Sequence, residues 1–263
     1  MLLSKILQNL KPNEIAVAIE NNRIEVHRDT WLRNDAKEIK KEEYSLYASN
    51  HKIPLYNGVI DTNIEENVDE RIDEVISFFD KQKLPFRWIT GVITNPRNIY
   101  KNLEKKGFKV ERNPGMAMNL DRLERIEQFN LETLKVCKLA EAEKFAEVAQ
   151  KVYGLPKEIL LSGLMKLVDS DEIGCYLALL NEKPVGISAV YYFCGVAGIY
   201  LVGVLEEERK KGIGSAITLA PLYDAKNLGY EWSILYSSEL GFNAYKRIGF
   251  EQYCIGEVCT WNP

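Results

Sequence analysis

Residues 199–227 set a hydrophobic strand, a charged turn and a glycine-opened helix in immediate succession, an order that builds a seat for an anion. The strand Ile199-Tyr200-Leu201-Val202-Gly203-Val204 runs into Glu206-Glu207-Glu208-Arg209-Lys210-Lys211, and Gly212-Ile213-Gly214-Ser215 then opens the helix. Glycine lets the backbone turn so that successive N–H groups face outward. The first amides of a helix have no partner within it and carry the positive end of its dipole. Arg209, Lys210 and Lys211 add positive charge suited to gripping a di- or triphosphate through its oxygens. Taken alone, the glycines fit an ordinary turn before a solvated helix equally well. A dinucleotide fold would need Gly or Ala where Ile217 stands and fewer charges between strand and glycine. A P-loop would need a Gly-Lys-Ser/Thr that the chain lacks.

Other chemistries have little to draw on. The 263 residues contain two histidines, His27 and His51, too few for a multi-histidine metal site, and packing or surface roles suit both. No metal is expected. Five cysteines (Cys137, Cys175, Cys194, Cys254 and Cys259) are odd in number and show no Cys-x-x-Cys spacing. They read as reduced core thiols, which implies a cytoplasmic protein. A net charge of -4 gives no global basic field, so neither nucleic acid nor an anionic membrane is an expected partner. Residues 1–10 are too short and polar for a signal segment and read as an amphipathic first helix. No window approaches eighteen apolar residues, so no membrane span is expected.

The pattern predicts a mixed α/β chain with an α+β mixed sheet. In the first half, strands are expected at 14–20, 44–48 and 55–60, a helix at 65–81 and a strand at 86–93. A turn at Asn95-Pro96 should start a helix to Lys106, capped by Gly107, and 108–120 should close the half as a strand or hairpin. The acidic face of 65–81 fits a solvated surface better than a docking face for a cationic substrate. Residues 121–130 read as a partly helical connection. The second half should run strand 134–139, helices 141–153 and 156–168, a hairpin of 173–180 and 185–193, strand 197–204, helix 213–227, strand 232–236, helix 242–247 and strand 250–260. The first half echoes the second: Tyr100 to Phe108 ends a helix at glycine and starts a strand at an aromatic, as Tyr245 to Phe250 does.

This order, with Arg209-x-x-Gly212-x-Gly214, resembles the Gcn5-related N-acetyltransferase (GNAT) superfamily, whose signature is Gln/Arg-x-x-Gly-x-Gly/Ala. A second element is similar as well: Ser238-Glu239-Leu240-Gly241-Phe242-Asn243-Ala244-Tyr245-Lys246-Arg247-Ile248-Gly249-Phe250 matches the family's Tyr-x-x-x-Gly-Phe helix and strand. The resemblance covers about 134–263. Pro85 to Gly91, Gly107-Phe108 and Pro114 to Met118 look like the degenerate first half of tandem GNAT proteins. The implied organisation is a degenerate GNAT-like domain at 1–125 and a catalytic GNAT domain at 131–263.

The resemblance implies an acetyl-CoA-dependent N-acyltransferase, with acetyl-CoA as co-substrate. The backbones of Val202 and Val204 would pair with the pantetheine amides. The amides of Lys211, Gly212, Ile213, Gly214 and Ser215, with Arg209 and Lys210, would hold the pyrophosphate. Tyr245 would protonate the leaving thiolate, and a phenol with a pKa of about 10 keeps its proton at neutral pH. A neutral amine would attack the thioester carbonyl, and an amide of Val202 or Val204 would stabilise the oxyanion. The family often carries Asn where Ser238 stands here. The first half has Asp61-Thr62-Asn63-Ile64-Glu65-Glu66 in place of a glycine loop, an acidic helix mouth that repels phosphate. Its expected role is to shape the acceptor site. The partner is a small-molecule or peptide amine, and a homodimer stays open. The main rival is an acyl-CoA-binding regulatory protein without turnover; aminoacyl transfer from a charged tRNA fits poorly with the net acidity.

Overall fold

The computed structural model describes residues 5–124, 131–136, 138–165 and 170–263. Its first helix, α1 (Pro12–Arg33), stands where a strand was expected at 14–20, and residues 5–11 are not helical. The alternation Ile15-Ala16-Val17-Ala18-Ile19 mimics a strand, but the local start signals are helical. Pro12 occupies the first turn, and the Glu14 carboxylate accepts from the Lys11 amide at 2.7 Å, tying down one of the unpaired donors there. The helix then buries Ile15, Ile19, Glu20, Asn22, Arg23, Val26 and Trp31, which lie on more than one face, so no polar stripe marks its period.

Among the described residues eleven strands follow: β1 (Lys37–Lys40), β2 (Ser45–Ala48), β3 (Gly58–Ile60), β4 (Phe86–Thr90), β5 (Lys109–Asn119), β6 (Glu132–Lys135), β7 (Ile173–Leu180), β8 (Lys183–Tyr191), β9 (Ala197–Val204), β10 (Trp232–Tyr236) and β11 (Glu251–Trp261). The helices between them are α2 (Val68–Asp80), α3 (Ile99–Lys105), α4 (Leu139–Tyr153), α5 (Lys157–Met165), α6 (Ile213–Asn227) and α7 (Glu239–Ile248). Sequence reading missed β1. The strand expected at 55–60 divides into a 3-10 turn at Pro54–Tyr56 and the short β3. The expected helical connection is a 3-10 turn at Leu120–Arg122, and 125–130 lie outside the described residues, as do Cys137 and the end expected for α5 at 166–168.

All the strands join one sheet in the order β1-β2-β3-β4-β11-β5-β10-β9-β8-β7-β6. The last strand of each half therefore lies in the other half's territory. β11 pairs antiparallel with β4, from Glu257↔Thr90 to Trp261↔Phe86, while β5 pairs antiparallel with β10, from Trp232↔Asn119 to Tyr236↔Gly115. β5 and β11 pair with each other along nearly their whole length. One face of the sheet carries α2 and α3 over Phe79, Phe86 and Trp88, and α6 and α7 over Ile217, Leu235 and Phe250. The other carries α1 and α4 over Ile19, Ile234, Phe145 and Ala189. Each large apolar side chain buried here contributes about 1.5–3 kcal/mol.

Three polar side chains of α1 are buried, Glu20, Asn22 and Arg23. Arg23 binds Glu20 at 2.6 Å and the carbonyls of Thr90 on β4 and Glu257 on β11. Glu20 also accepts from the Tyr236 hydroxyl on β10 at 2.7 Å, and Arg23 lies over the Tyr236 ring. Asn22 donates to the carbonyls of Tyr191 and Phe193 and accepts from the Tyr200 hydroxyl on β9 at 2.9 Å. A glycine clears space for each: a Cβ at Gly91 would strike Glu20, at Gly198 Asn22, and at Gly256 Arg23.

No helix among the described residues is long and apolar enough to cross a membrane. Cys175, Cys194, Cys254 and Cys259 are free thiols. Removing one member of a buried ion pair strands its partner's charge, at a cost of about 3–5 kcal/mol. Arg23→Met is accordingly expected to lower unfolding stability by that amount in a urea titration, and Glu20→Gln with Arg23→Met together to lose much less than Arg23→Met alone.

Candidate functional site

β9 and β10 run parallel but pair only at Ser233↔Ala197 and Ile234↔Gly198. Beyond that point the rest of β9, Ile199–Val204, and Leu235 and Tyr236 of β10 go on without pairing to each other. β9 keeps its partner β8 on the other side, with a break in register between Ile187 and Ala189. Leu201 sits at that break with a φ of 51°, a left-handed conformation uncommon for a branched residue, and it bends the strand. The two strands so part into a cleft whose β9 wall carries Val202 and Val204.

At the end of that wall, a 3-10 turn over Glu206–Glu208 leads to Lys210, with a φ of 64°, and to Gly212, the N-cap of α6, with a φ of 79°. The first bond into the helix runs from the Ala216 amide to the Gly212 carbonyl. The amides of Lys211, Gly212, Ile213, Gly214 and Ser215 donate to no group among the described residues. Arg209, Lys210 and Lys211 are exposed around them. Arg209 Nε contacts the Val204 carbonyl at 3.4 Å, and Lys211 pairs with Glu208 at 2.7 Å. The residues named from the sequence as an anion seat are thus one contiguous surface at the end of the cleft, with Arg209 and Lys210 carrying the charge not already paired to a carboxylate.

The helix behind the seat is held by an unusual join. Pro221 lies inside α6 and has no N–H, which leaves the Ile217 carbonyl without its helical donor. The buried Ser188 hydroxyl, placed on β8 at the break in register, donates to that carbonyl at 2.8 Å. The start of α6 is fastened in this way to the strand pair that forms the cleft.

Tyr245 comes to the cleft from α7. Ser238 caps this helix by accepting from the Gly241 amide, and the half-buried Tyr245 ring packs edge-on to Phe250 at 6.0 Å. A Cβ at Gly241 would meet that ring at 2.7 Å, so glycine makes room for it one turn earlier. Burial pushes the Tyr245 phenol up to about 12. Tyr153, the last residue of α4, was not singled out in the sequence, where it reads as a helix end before Gly154. Its hydroxyl donates to the Val202 carbonyl at 2.9 Å. Burial, and then the nearby Tyr245, raise its phenol well above the usual value. Two protonated phenols and the backbone of Val202 therefore share one locality.

The first half repeats this geometry with opposite charge. β3 and β4 run parallel and pair only at Gly58↔Arg87 and Val59↔Trp88, and the following helix α2 also starts from a left-handed residue, Asn67. Acidic Asp69 and Glu70 lie in its first turn, after exposed Glu65 and Glu66. Beyond these pairs the backbone closes the opening: Asn63 and Asn95 form a parallel bridge, the Asn95 amide donating to the Thr62 carbonyl at 3.0 Å and the Ile64 amide to the Asn95 carbonyl at 2.8 Å, while the Trp88 indole N–H donates to the Thr62 hydroxyl at 2.8 Å. Asp73 pairs with Lys106 and Asp69 accepts from Asn102, so the acidic face of α2 is partly tied to its own neighbours.

Parallel strands that part beside a left-handed helix cap belong here to one continuous mixed sheet whose overall shape several solved structures share. The chain has the fold of the GCN5-related N-acetyltransferases. A GCN5-related N-acetyltransferase from Kribbella flavida is similar over 92% of this chain and 95% of its own, with a TM-score of 0.70 at 16% identity. One from Sphaerobacter thermophilus matches at TM-score 0.63 and 14% identity, covering 96% of this chain and 94% of its own. A tandem GNAT protein from the clavulanic acid biosynthesis pathway matches at TM-score 0.58 and 12% identity, covering 83% of this chain and 78% of its own. No protein-family model and no curated protein matches the sequence.

The raised phenol of Tyr245 has a consequence for stability. Its folded pKa lies above that of the unfolded chain, so its contribution is complete below about pH 10 and falls as pH rises toward about 12, because the unfolded chain loses its proton first. The stability difference between the wild type and Tyr245→Phe is expected to be flat from neutral pH to about 9 and then to shift against the wild type, as read by denaturant unfolding across that range. A difference that stays flat to about pH 11 would show the ring to be solvated.

Proposed function

We propose that the chain is an N-acetyltransferase that moves an acetyl group from acetyl-CoA to a primary amine by direct attack in a ternary complex. The observation that carries this reading is the parting of β9 from β10 beside a helix whose first amides have no partner. A cleft of that form receives an extended chain ending in a diphosphate. The amides of Lys211–Ser215, with Arg209 and Lys210, would hold the pyrophosphate, and the backbones of Val202 and Val204 would lie along the pantetheine. The Val202 and Val204 carbonyls already accept from Tyr153 and Arg209, but a carbonyl has two lone pairs and can take a second donor.

Acetyl-CoA supplies an acyl carbon joined to a thiolate that leaves readily. As the amine nitrogen forms the new C–N bond, the C–S bond breaks, and the Tyr245 hydroxyl gives its proton to the departing sulfur. The amine's own proton passes to water, from which Tyr245 is reprotonated. With its phenol held near about 12, Tyr245 keeps that proton across the neutral range. Tyr153, which bonds Val202, positions the strand and does not need to exchange a proton.

Two measurements test this reading. Titration calorimetry should detect acetyl-CoA binding to the wild type, and Arg209→Glu with Lys210→Glu should weaken it at least tenfold, more at low salt than at high. Tyr245→Phe should bind acetyl-CoA as the wild type does while lowering kcat for thiol release by about a hundredfold. Absence of heat with acetyl-CoA would end the acyltransferase reading. Tight binding with no transfer to any amine would favour a regulatory protein.

A further inference from the structure

A cavity of about 280 Å³ lies on the sheet face opposite α6, between α1, the α4–α5 pair and the bend of β9. Leu201, the residue before Val202, forms part of its wall, which sets the cavity beside the β9 wall of the cleft. Phe145, Leu160 and Leu164 give it apolar surface, and Leu55 and Tyr56 of the first half also line it. Both halves therefore contribute walls.

The charges in this lining do not cancel. Asp29 is bound by Arg33 through both carboxylate oxygens at 2.8 Å. His27 is neutral, because burial and the nearby Arg23 and Arg87 hold its imidazole well below the usual range. Arg87, on β4, has no ion pair among the described residues, and its buried Nε has no hydrogen-bond partner. Burial lowers its pKa, with Glu111 the one carboxylate acting on it, from beyond contact distance. An unpaired, partly desolvated guanidinium is costly to keep, and among the described residues Glu111 alone offsets part of that cost, without contact.

We infer that Arg87 recognises a carboxylate on the acceptor, so that the substrate is a short amino acid with its amine and its carboxylate at opposite ends of an apolar spacer. The inference rests on the acyltransferase reading for the identity of the reacting amine. Separation of the two ends follows from the lining: Arg87 on β4 and Leu201 on β9 stand in the walls of one cavity whose other residues include the apolar Phe145, Leu160 and Leu164. The planar guanidinium fork suits a carboxylate, and one uncompensated positive charge suits a monoanion better than a phosphate dianion. The cavity's size admits a small molecule and excludes a folded chain. The product is the N-acetylated acid, formed as the amine gains the acyl group and CoA leaves as the thiol.

The test compares ε-aminohexanoate and ω-aminooctanoate with hexylamine, octylamine and diaminohexane, on protein saturated with CoA so that binding is read without turnover. Thermal shift and calorimetry should show the aminoalkanoates binding at least tenfold more tightly than either the monoamines or the diamine. Arg87→Gln should abolish that preference, and Arg87→Lys should retain part of it. Because Arg87→Gln removes an unpaired buried charge, its own melting temperature should equal or exceed that of the wild type, which separates lost recognition from lost folding. Equal binding of amine and amino acid, or an unaltered preference in Arg87→Gln, overturns the inference and leaves acetylation of other amines standing. Arg87-dependent binding without any CoA release from acetyl-CoA supports carboxylate recognition and counts against acyl transfer.

Discussion

Three buried polar groups on one helix constrain the molecule more tightly than any of its apolar contacts. Glu20, Asn22 and Arg23 of α1 cannot be desolvated without partners, and those partners come from β4, β11, β10, β9 and the end of β8. Apolar packing would tolerate a shift of one half against the other, since it has no direction. Directed hydrogen bonds to five strands tolerate far less, and Gly91, Gly198 and Gly256 leave only enough room for the three side chains they face. Specificity of arrangement, more than net stability, is what such a network contributes.

The cleft inherits its geometry from this anchoring. β9 is held by Asn22 through Tyr200 and by β8 through its ladder, while β10 is held by Glu20 through Tyr236 and by β5 on its far side. Each strand has a firm partner facing away from the other, so their separation does not depend on a bound molecule to wedge it open. The two halves of the chain apply the same plan with different residues at the helix mouth. Arginine, lysine and glycine at 209–214 leave amides and positive charge facing outward, whereas in the first half the Asn63–Asn95 bridge closes the equivalent place and Asp69 and Glu70 make the helix mouth acidic. The two halves thus present different surfaces on a similar frame.

Much of this was legible in the sequence where local chemistry determines structure. The glycines at 212 and 214, the helix ended by Gly249 and the strand 197–204 each carry their signal within a few residues. The elements misread were those governed by distant partners. The stretch 14–20 alternates like a strand because α1 buries residues on more than one face and exposes apolar Val17, so no polar stripe reveals its period. β1, with the charged sequence Lys-Glu-Ile-Lys, is a strand only because β2 offers it an edge. Tyr153 and Arg87 gave no signal at all, since their surroundings are assembled from residues dozens to more than a hundred positions away. The pairing of β11 with β4 was likewise invisible, as either half has a nearer strand that could have filled the place.

That last pairing has a bearing on how the chain matures during synthesis. When β4 has left the ribosome, its neighbour in the finished sheet, residues 251–261, is more than 160 residues from being made. Until then β4 presents an open edge, which other strands can occupy. Such long-range closure slows folding and lengthens exposure to other nascent chains. A protein built this way gains a single rigid frame at the expense of modular assembly, and its early half must wait on the arrival of its final strand.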